Sequence, residues 1–354
     1  MNKTIDSHVG MNKSDIKVSV IIPAYQSELT LNKAVESVLT QDYNYYEVII
    51  VDNGSTDGTA SVIDEMKKRD HRVRSLHLQV NQMPAGGRNA GVHDARGEYI
   101  AFLDADDEWL PGKLAYQVAL LDEFPDYDLV FSDSWIVNSI DHNQFLHMKG
   151  NAEILSHLEL KPISDLENTY LVSGPVTRMI YTKSFINMST SLLRKDNFLR
   201  VGGFDIDRFG TEDIDFWVRY SRISKFIFWD QPTANCSQGG GTSKPGEKWL
   251  RELIRYHRKS LSSPDYFDLT DIAKLNLEKF YRYLIVIYGL DRKPRKALQI
   301  YHESMDLGVN SRLALYAYIT FLGAWPFKIG QWFSAKRKKN GDKIIMNKLR
   351  GENK

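Results

Sequence analysis

The chain has 354 residues, 42% hydrophobic and 26% charged, ordinary globular proportions for about two domains with a sizeable core. Its formal net charge of +1 excludes a molecule that holds polyanions by overall charge. The single cysteine, Cys236, excludes an intrachain disulfide and fits a reducing compartment.

Residues 1–15 are polar, mixed in charge and without the apolar core of a signal peptide, so 1–16 is expected to be a disordered lead-in. Residues 17–22 form a β-branched strand stopped by Pro23. A helical pattern over 29–39 puts Leu31, Ala34, Val35 and Val38 on one face. A second strand, 46–51, ends in Asp52. A turn at 53–57 leads to a helix ending near Lys68, and a third strand spans 73–78. A short helix over 85–95 precedes the apolar run 99–103, which reads as a buried strand. A helix over 113–121 and a strand over 128–132 follow. Residues 135–185 show few periodic elements and read as an insertion beside the site. A strand is expected at 188–193 and a turn at Gly202-Gly203. Thr211 is placed to cap a helix running to about Ser221, with Ile214, Trp217, Val218 and Ser221 on one face. Further helices are expected over 248–261, 272–288, 296–307 and 311–322.

Strands alternating with helices imply a mostly parallel sheet, and such sheets bind ligands at the carboxyl ends of their strands. Three clusters converge there: Pro23-Ala-Tyr25, Asp52-Asn-Gly54 and Asp104-Ala105-Asp106. Carboxylates packed as closely as Asp104, Asp106, Asp107 and Glu108 repel one another unless a cation neutralises them. A hard divalent cation completed by phosphate oxygens does so; an acidic surface turn is the plainer alternative. Asp52 can accept hydrogen bonds from a nucleobase or ribose, or simply open the turn. Arg88, in Gly86-Gly-Arg-Asn-Ala-Gly91, can reach a phosphate or form an ion pair with the acidic cluster. Glu212 and Asp213 open a helix, where carboxylates serve either as caps or, for one of them, as a general base. A helix N-terminus and a nearby cation are expected to hold that base's pKa down unless desolvation opposes them. The absence of Gly-x-Gly-x-x-Gly at the first strand and of a P-loop argues against a dinucleotide dehydrogenase and a P-loop ATPase.

Four ordered motifs resemble the family 2 glycosyltransferases. They are Val18-Ser-Val-Ile-Ile-Pro-Ala-Tyr25, Glu47-Val-Ile-Ile-Val-Asp-Asn-Gly-Ser-Thr-Asp-Gly58, Gly97-Glu-Tyr-Ile-Ala-Phe-Leu-Asp-Ala-Asp-Asp107, and Val201-Gly-Gly-Phe-Asp205 with Thr211-Glu-Asp-Ile-Asp-Phe-Trp-Val-Arg219. The resemblance covers residues 17–243. It implies a GT-A fold and inverting transfer from a nucleotide sugar, usually a UDP-sugar, to a glycan hydroxyl. By resemblance, Pro23, Tyr25 and Glu28 flank the nucleotide and Asp52 holds the base. Arg88 lies by the nucleotide or the acids. Asp104 contacts ribose or metal, Ala105 stands between the two acids, and Asp106 ligates Mn²⁺ or Mg²⁺. Asp213 is the base, with Glu212 as runner-up. Many relatives carry a His in the loop that here reads Asn235-Cys-Ser-Gln-Gly-Gly-Gly-Thr-Ser243. Gln238 is the nearest polar residue, a poorer metal ligand than imidazole, and Thr242, Ser243 and Lys244 are candidates for holding the diphosphate.

The expected organisation is a nucleotide-sugar half at 17–129, an acceptor half at 130–244, a helical region at 245–335 and a basic tail at 336–354. Residues 313–327 carry no formal charge but are fewer than the ~20 needed to span a bilayer. With Trp332, Phe333 and Lys336-Arg-Lys-Lys339 they suit either a helix lying on an anionic membrane or a core helix with a solvated tail. The combined expectation is a cytoplasmic enzyme, peripheral on the inner face of the plasma membrane. Its expected acceptor is a lipid-linked glycan of a bacterial surface polysaccharide, with a protein or soluble glycan acceptor, or a non-catalytic nucleotide-sugar or glycan binding module, as alternatives; no nucleic-acid partner is expected.

Overall fold

The computed structural model describes residues 16–138, 143–238 and 246–306. The chain divides into two compact units, 1–241 and 242–354.

The first unit is built on one sheet. In chain order its elements begin β1 (Val18–Ala24), α1 (Leu31–Leu39), β2 (Tyr46–Asp52), α2 (Thr59–Arg69), β3 (Val73–His77), α3 (Met83–Asp94), β4 (Tyr99–Phe102), β5 (Glu108–Trp109) and α4 (Lys113–Glu123). They continue β6 (Leu129–Asn138), β7 (Gln144–Leu146), α5 (Ala152–Leu155), β8 (Glu159–Pro162), β9 (Thr169–Ser173) and α6 (Val176–Thr182). The unit closes with β10 (Leu192–Arg194), α7 (Lys195–Arg200), α8 (Glu212–Ser221) and β11 (Phe226–Gln238).

The sheet order is β3-β2-β1-β4-β10-β6-β11-β9-β8. β1 lies parallel between β2 and β4, with Ala24 opposite Asp52 and Ile21 opposite Phe102. β10 alone runs antiparallel between β4 and β6, and β6 runs parallel to β11. From β3 to β11 every strand but β10 therefore points one way, and the sheet is mostly parallel across its centre. Such strands are covered on both faces, which is why β2 is buried along its whole length.

The segment 135–185 is not irregular. β7 pairs with β6, β9 with β11 and β8 with β9, so the insertion widens the sheet. Strands of three to five residues are too short to show a period, which hid them. The strand expected at 188–193 is also corrected. Met188–Thr190 is a 3₁₀ turn, with the Asn187 side chain accepting from Ser189 N, and only Leu192–Arg194 is strand. Asn, Ser and Thr side chains compete with ladder hydrogen bonds in this way. α8 buries more than one stripe. Phe216, Trp217, Val218 and Tyr220 are buried, while Ile214 and Ser221 are only partly so. Phe216 packs against Phe198 and Phe204. Asp215 is buried on the same helix because Arg208 and Arg219 pair with it at 3.1 and 2.7 Å.

The second unit contains α9 (Glu247–Leu261), α10 (Thr270–Leu290) and α11 (Pro294–Met305). Its core joins Leu250 and Leu253 of α9, Leu277, Leu284 and Ile285 of α10, and Ala297 and Ile300 of α11. The helix expected at 311–322, the aromatic segment 313–327 and the basic run 336–339 lie outside the described residues. Among the described residues no helix is long and apolar enough to cross a membrane.

In the first unit α3, which carries Arg88 and Asn89, packs directly on β1. A Cβ on Gly91 would lie 2.4 Å from Ile21 Cγ2, so only glycine lets the helix seat there. Gly91→Val should therefore overpack the interface and lower unfolding free energy by about 1–3 kcal/mol in urea titrations. Gly150→Ala, whose Cβ would meet nothing within 4 Å, should leave the midpoint nearly unchanged.

Candidate active site

The carboxyl ends of β1, β2 and β4 open on one edge. After β1, Tyr25 is half-exposed, and Gln26 turns the chain with a φ of 52°. The Gln26 side-chain oxygen accepts from the amides of Thr56 and Asp57, and Glu28 accepts from Gly58 N at 2.9 Å. The loops after β1 and β2 are thus stitched together. Asp52 closes β2, nearly buried. One of its oxygens accepts from Ser55 N at 3.0 Å, and the other lies 3.2 Å from His77 Nδ1. Each oxygen keeps a second lone pair, so the carboxylate is oriented yet still able to accept from a ligand. Beside it, Asn53 donates to the Met83 carbonyl and accepts from Gln82 N, tying the start of α3 to the same edge.

The acidic loop after β4 is braced by the 3₁₀ turn. The fully buried Ser189 hydroxyl donates to Asp107 Oδ2 at 2.6 Å and accepts from Asp104 N at 3.2 Å. The Ser189 carbonyl accepts from Trp109 Nε1 at 2.7 Å. Asp107 points inward, its other oxygen accepting from Ser237 N at 2.9 Å. Burial, aided by the charge of Asp104, pushes the Asp107 carboxyl up to about 7. Asp106 is exposed, and its pKa is raised by desolvation and then by Asp104.

Arg88 joins this loop to α8. It is 5% exposed, donates to Asp104 Oδ1 at 2.6 Å and lies over the Phe204 ring at 5.6 Å. Burial alone would lower its pKa. The fields of Asp104, Glu212 and Asp213 outweigh that and raise it. Acids more than a hundred residues apart in sequence therefore share one guanidinium. Next to it, Asn89 donates to the Phe204 carbonyl and accepts from Phe204 N, holding the turn before α8. Gly203 has a φ of +67°, and a Cβ there would lie 2.6 Å from Asn89 Oδ1, so the close approach needs glycine.

Asp213 stands in the first turn of α8, where its Oδ1 accepts from Ile214 N at 2.7 Å. Its pKa is not depressed, because desolvation does oppose the helix terminus and the cation. Desolvation, followed by the charge of Glu212, pushes it up to about 6 against the opposing pull of that amide and of Arg88. Glu212 is nearly buried, and its Oε2 makes no hydrogen bond among the described residues. Thr211 occupies the cap position, but its side chain makes no cap hydrogen bond.

A divalent cation fits the Asp104–Asp106 pair in chemistry. Desolvation and the charge of Asp104 raise the cost of ionising Asp106, which is solvent-facing. Among the described residues no three His, Cys, Asp or Glu side chains gather closely enough to cage an ion. The pair suits a cation such as Mg²⁺ or Mn²⁺ that keeps water and takes remaining ligands from a bound phosphate. Of the loop 235–243, residues 239–243 lie outside the described ones, and so do the diphosphate-holding candidates Thr242, Ser243 and Lys244.

Pro23, Tyr25, Glu28 and Asp52 thus lie at the β1/β2 edge, and Asp104, Ala105 and Asp106 follow β4. Arg88 links the latter to Glu212 and Asp213. Sequence reasoning missed Ser189, Asn53, Asn89 and His77. Only Asn53 and Asn89 left a trace, each being a polar residue inside a motif otherwise explained.

Residues 19–174 match the family described as glycosyl transferase family 2. TuaG of Bacillus subtilis, whose name places it in teichuronic acid biosynthesis, is 37% identical over 131 residues, 35% of this chain and 52% of TuaG. The chain thus spans about half the length of that relative. The amylovoran biosynthesis glycosyltransferase AmsB of Erwinia amylovora is 28% identical over 68% of this chain and 75% of its own. Among solved structures, Staphylococcus aureus TarS 1-349 in complex with UDP-GlcNAc superposes with a TM-score of 0.56 at 18% identity, over 95% of this chain and 93% of TarS 1-349. The fold is therefore of the TarS, GT-A-like kind.

Replacing Arg88 by Met leaves Asp104, Glu212 and Asp213 without their shared cation. Unfolding free energy should fall toward the lower end of about 3–5 kcal/mol, because Asp104 is partly solvated. Arg88→Lys, which keeps the charge but not the fork, should fall between the two in the same denaturant titration.

Proposed function

We propose that this chain, whose residues 19–174 carry a glycosyl transferase family 2 domain, is an inverting glycosyltransferase. It moves a hexosyl or N-acetylhexosaminyl group from a UDP-sugar to a hydroxyl of a glycan acceptor. The observation that carries the reading is the convergence of Asp104 and the Glu212–Asp213 pair on the buried Arg88. One group of acids serves the leaving diphosphate, and the other serves the incoming hydroxyl. A binding module needs no partly desolvated carboxylate with a pKa near 6.

In this mechanism Tyr25, Pro23 and Glu28 flank the nucleotide, and Asp52 accepts a hydrogen bond from the base. Asp104 and Asp106 hold Mn²⁺ or Mg²⁺, which when bound supplies neutralisation of charge on the diphosphate. Arg88 holds Asp104 in place and limits repulsion across the site. Asp213 removes the acceptor proton as the hydroxyl oxygen attacks the anomeric carbon from the face opposite the leaving group. Glu212 raises the basicity of Asp213 by its charge. A pKa of about 6 leaves Asp213 mostly ionised at pH 7 while making it a stronger base than an ordinary carboxylate.

The relatives named for teichuronic acid and amylovoran support a role in bacterial surface polysaccharide synthesis. A Campylobacter jejuni relative, 40% identical over 100 residues, is named as acting on a polyprenol-diphosphate glycan, which supports a lipid-linked acceptor. TarS complexes with UDP and UDP-GlcNAc support a UDP-sugar donor. The proposed location is the cytoplasmic face of the plasma membrane, where such an acceptor is displayed.

Asp213→Asn should lower kcat by about 10²–10⁴-fold while UDP affinity, measured by calorimetry, stays within twofold. Normal turnover by that variant would refute the base assignment. Since a base works only when deprotonated, wild-type kcat/KM should rise with pH through about 6 and then level. Asp106→Ala should erase the Mn²⁺-dependent part of UDP binding; equal affinity with and without Mn²⁺ in both proteins would remove the metal role.

A further inference from the structure

The second unit carries a shallow, open cavity of about 650 Å³ along α9 and the helices packed on it. Arg251, Arg255, Arg258 and Lys259 line it from α9, against Glu303 and Asp306 from the end of α11 and just beyond, so cations outnumber acids. The α9 residues recur at spacings of four, seven and eight, which places them along one side of the helix.

Two of the guanidinium groups are held in position. Arg258 Nε donates to Tyr281 OH at 2.6 Å, its other nitrogens reaching Asp306 at 3.4 Å and the Glu303 carbonyl. Arg251 donates to Glu247 at 3.1 Å and to Tyr288 OH at 2.9 Å. Each guanidinium has five N–H donors, so both keep donors beyond these bonds. Arg255 is 63% exposed beside Glu252, and Lys259 is exposed. The walls between the charges are Ile254, the Tyr281 ring and the arginine stems. Held guanidinium forks recognise phosphate by paired hydrogen bonds and need little ordering to do so. The volume exceeds what a bare ion requires and falls in the range of sites for molecules of a few hundred daltons.

We propose that this cavity binds a sugar phosphate unit of an anionic glycan, the phosphate on the α9 cations and the sugar against Ile254 and Tyr281. The site is argued from the helical unit alone; that its ligand is part of the acceptor rests on the glycosyl-transfer reading.

The test is calorimetric titration of the full chain with glucose 1-phosphate in low-salt buffer, with UDP in excess to fill the nucleotide site. Saturable binding is expected, absent for glucose and weakened as salt rises. The exposed pair Arg255→Gln/Lys259→Gln should weaken it at least tenfold without changing the melting temperature, and Asp213→Asn should leave it unchanged. No binding, or equal binding by the double variant, would overturn the proposal. So would loss of phosphatidylglycerol-vesicle association in the double variant where glucose 1-phosphate does not bind, because the cations would then serve a lipid surface. If wild-type transfer is absent but the variant-sensitive binding persists, the anion site stands and the glycosyl-transfer reading fails.

Discussion

A guanidinium almost wholly withdrawn from water is tolerable only among carboxylates, and Arg88 meets that condition with Asp104, Glu212 and Asp213. The constraint acts on the whole fold of the first unit. α3 must lie close enough to β1 to bring Arg88 to the sheet edge, which Gly91 permits. The turn before α8 must approach α3, which Gly203 and the two Asn89 hydrogen bonds arrange. Moving any one of these elements would separate the cation from its acids and leave each charge poorly solvated.

The same withdrawal from water divides the acids by role. Asp104 pairs directly with Arg88 at 2.6 Å. Asp213 feels Arg88 at longer range and sits beside Glu212, so desolvation wins and its proton affinity rises. Asp107 goes furthest, facing Ser189 and Ser237 rather than a cation. Three aspartates of one type thus become an ion-paired carboxylate, a carboxylate of raised proton affinity and a structural brace. Their neighbours, rather than their motif positions, separate them.

Much of this fold was legible because β1, β2 and β4 are continuous apolar runs that end in polar clusters, and α1 and α10 carry clear periods. The site residues were legible for a related reason: acids at strand ends are conspicuous. What was hidden depends on pairing at a distance. β8 and β9 have no period long enough to read. Ser189 is one hydroxyl in a polar run, and only the tertiary fold puts it between Asp104 and Asp107. The pKa of Asp213 could not be signed in advance, because helix dipole, cation and desolvation compete and only burial decides among them.

The strands of the insertion carry a consequence for the protein in a crowded solution. A sheet this wide ends in a bare row of backbone donors and acceptors, on which another chain could build. Here the last strand, β8, is four residues long and reads Glu-Leu-Lys-Pro, with Glu159, Lys161 and Pro162 exposed. Pro162 offers no N–H, and the two charges lose hydration if a neighbour pairs there. The insertion therefore both widens the sheet and finishes it with an edge that resists self-association.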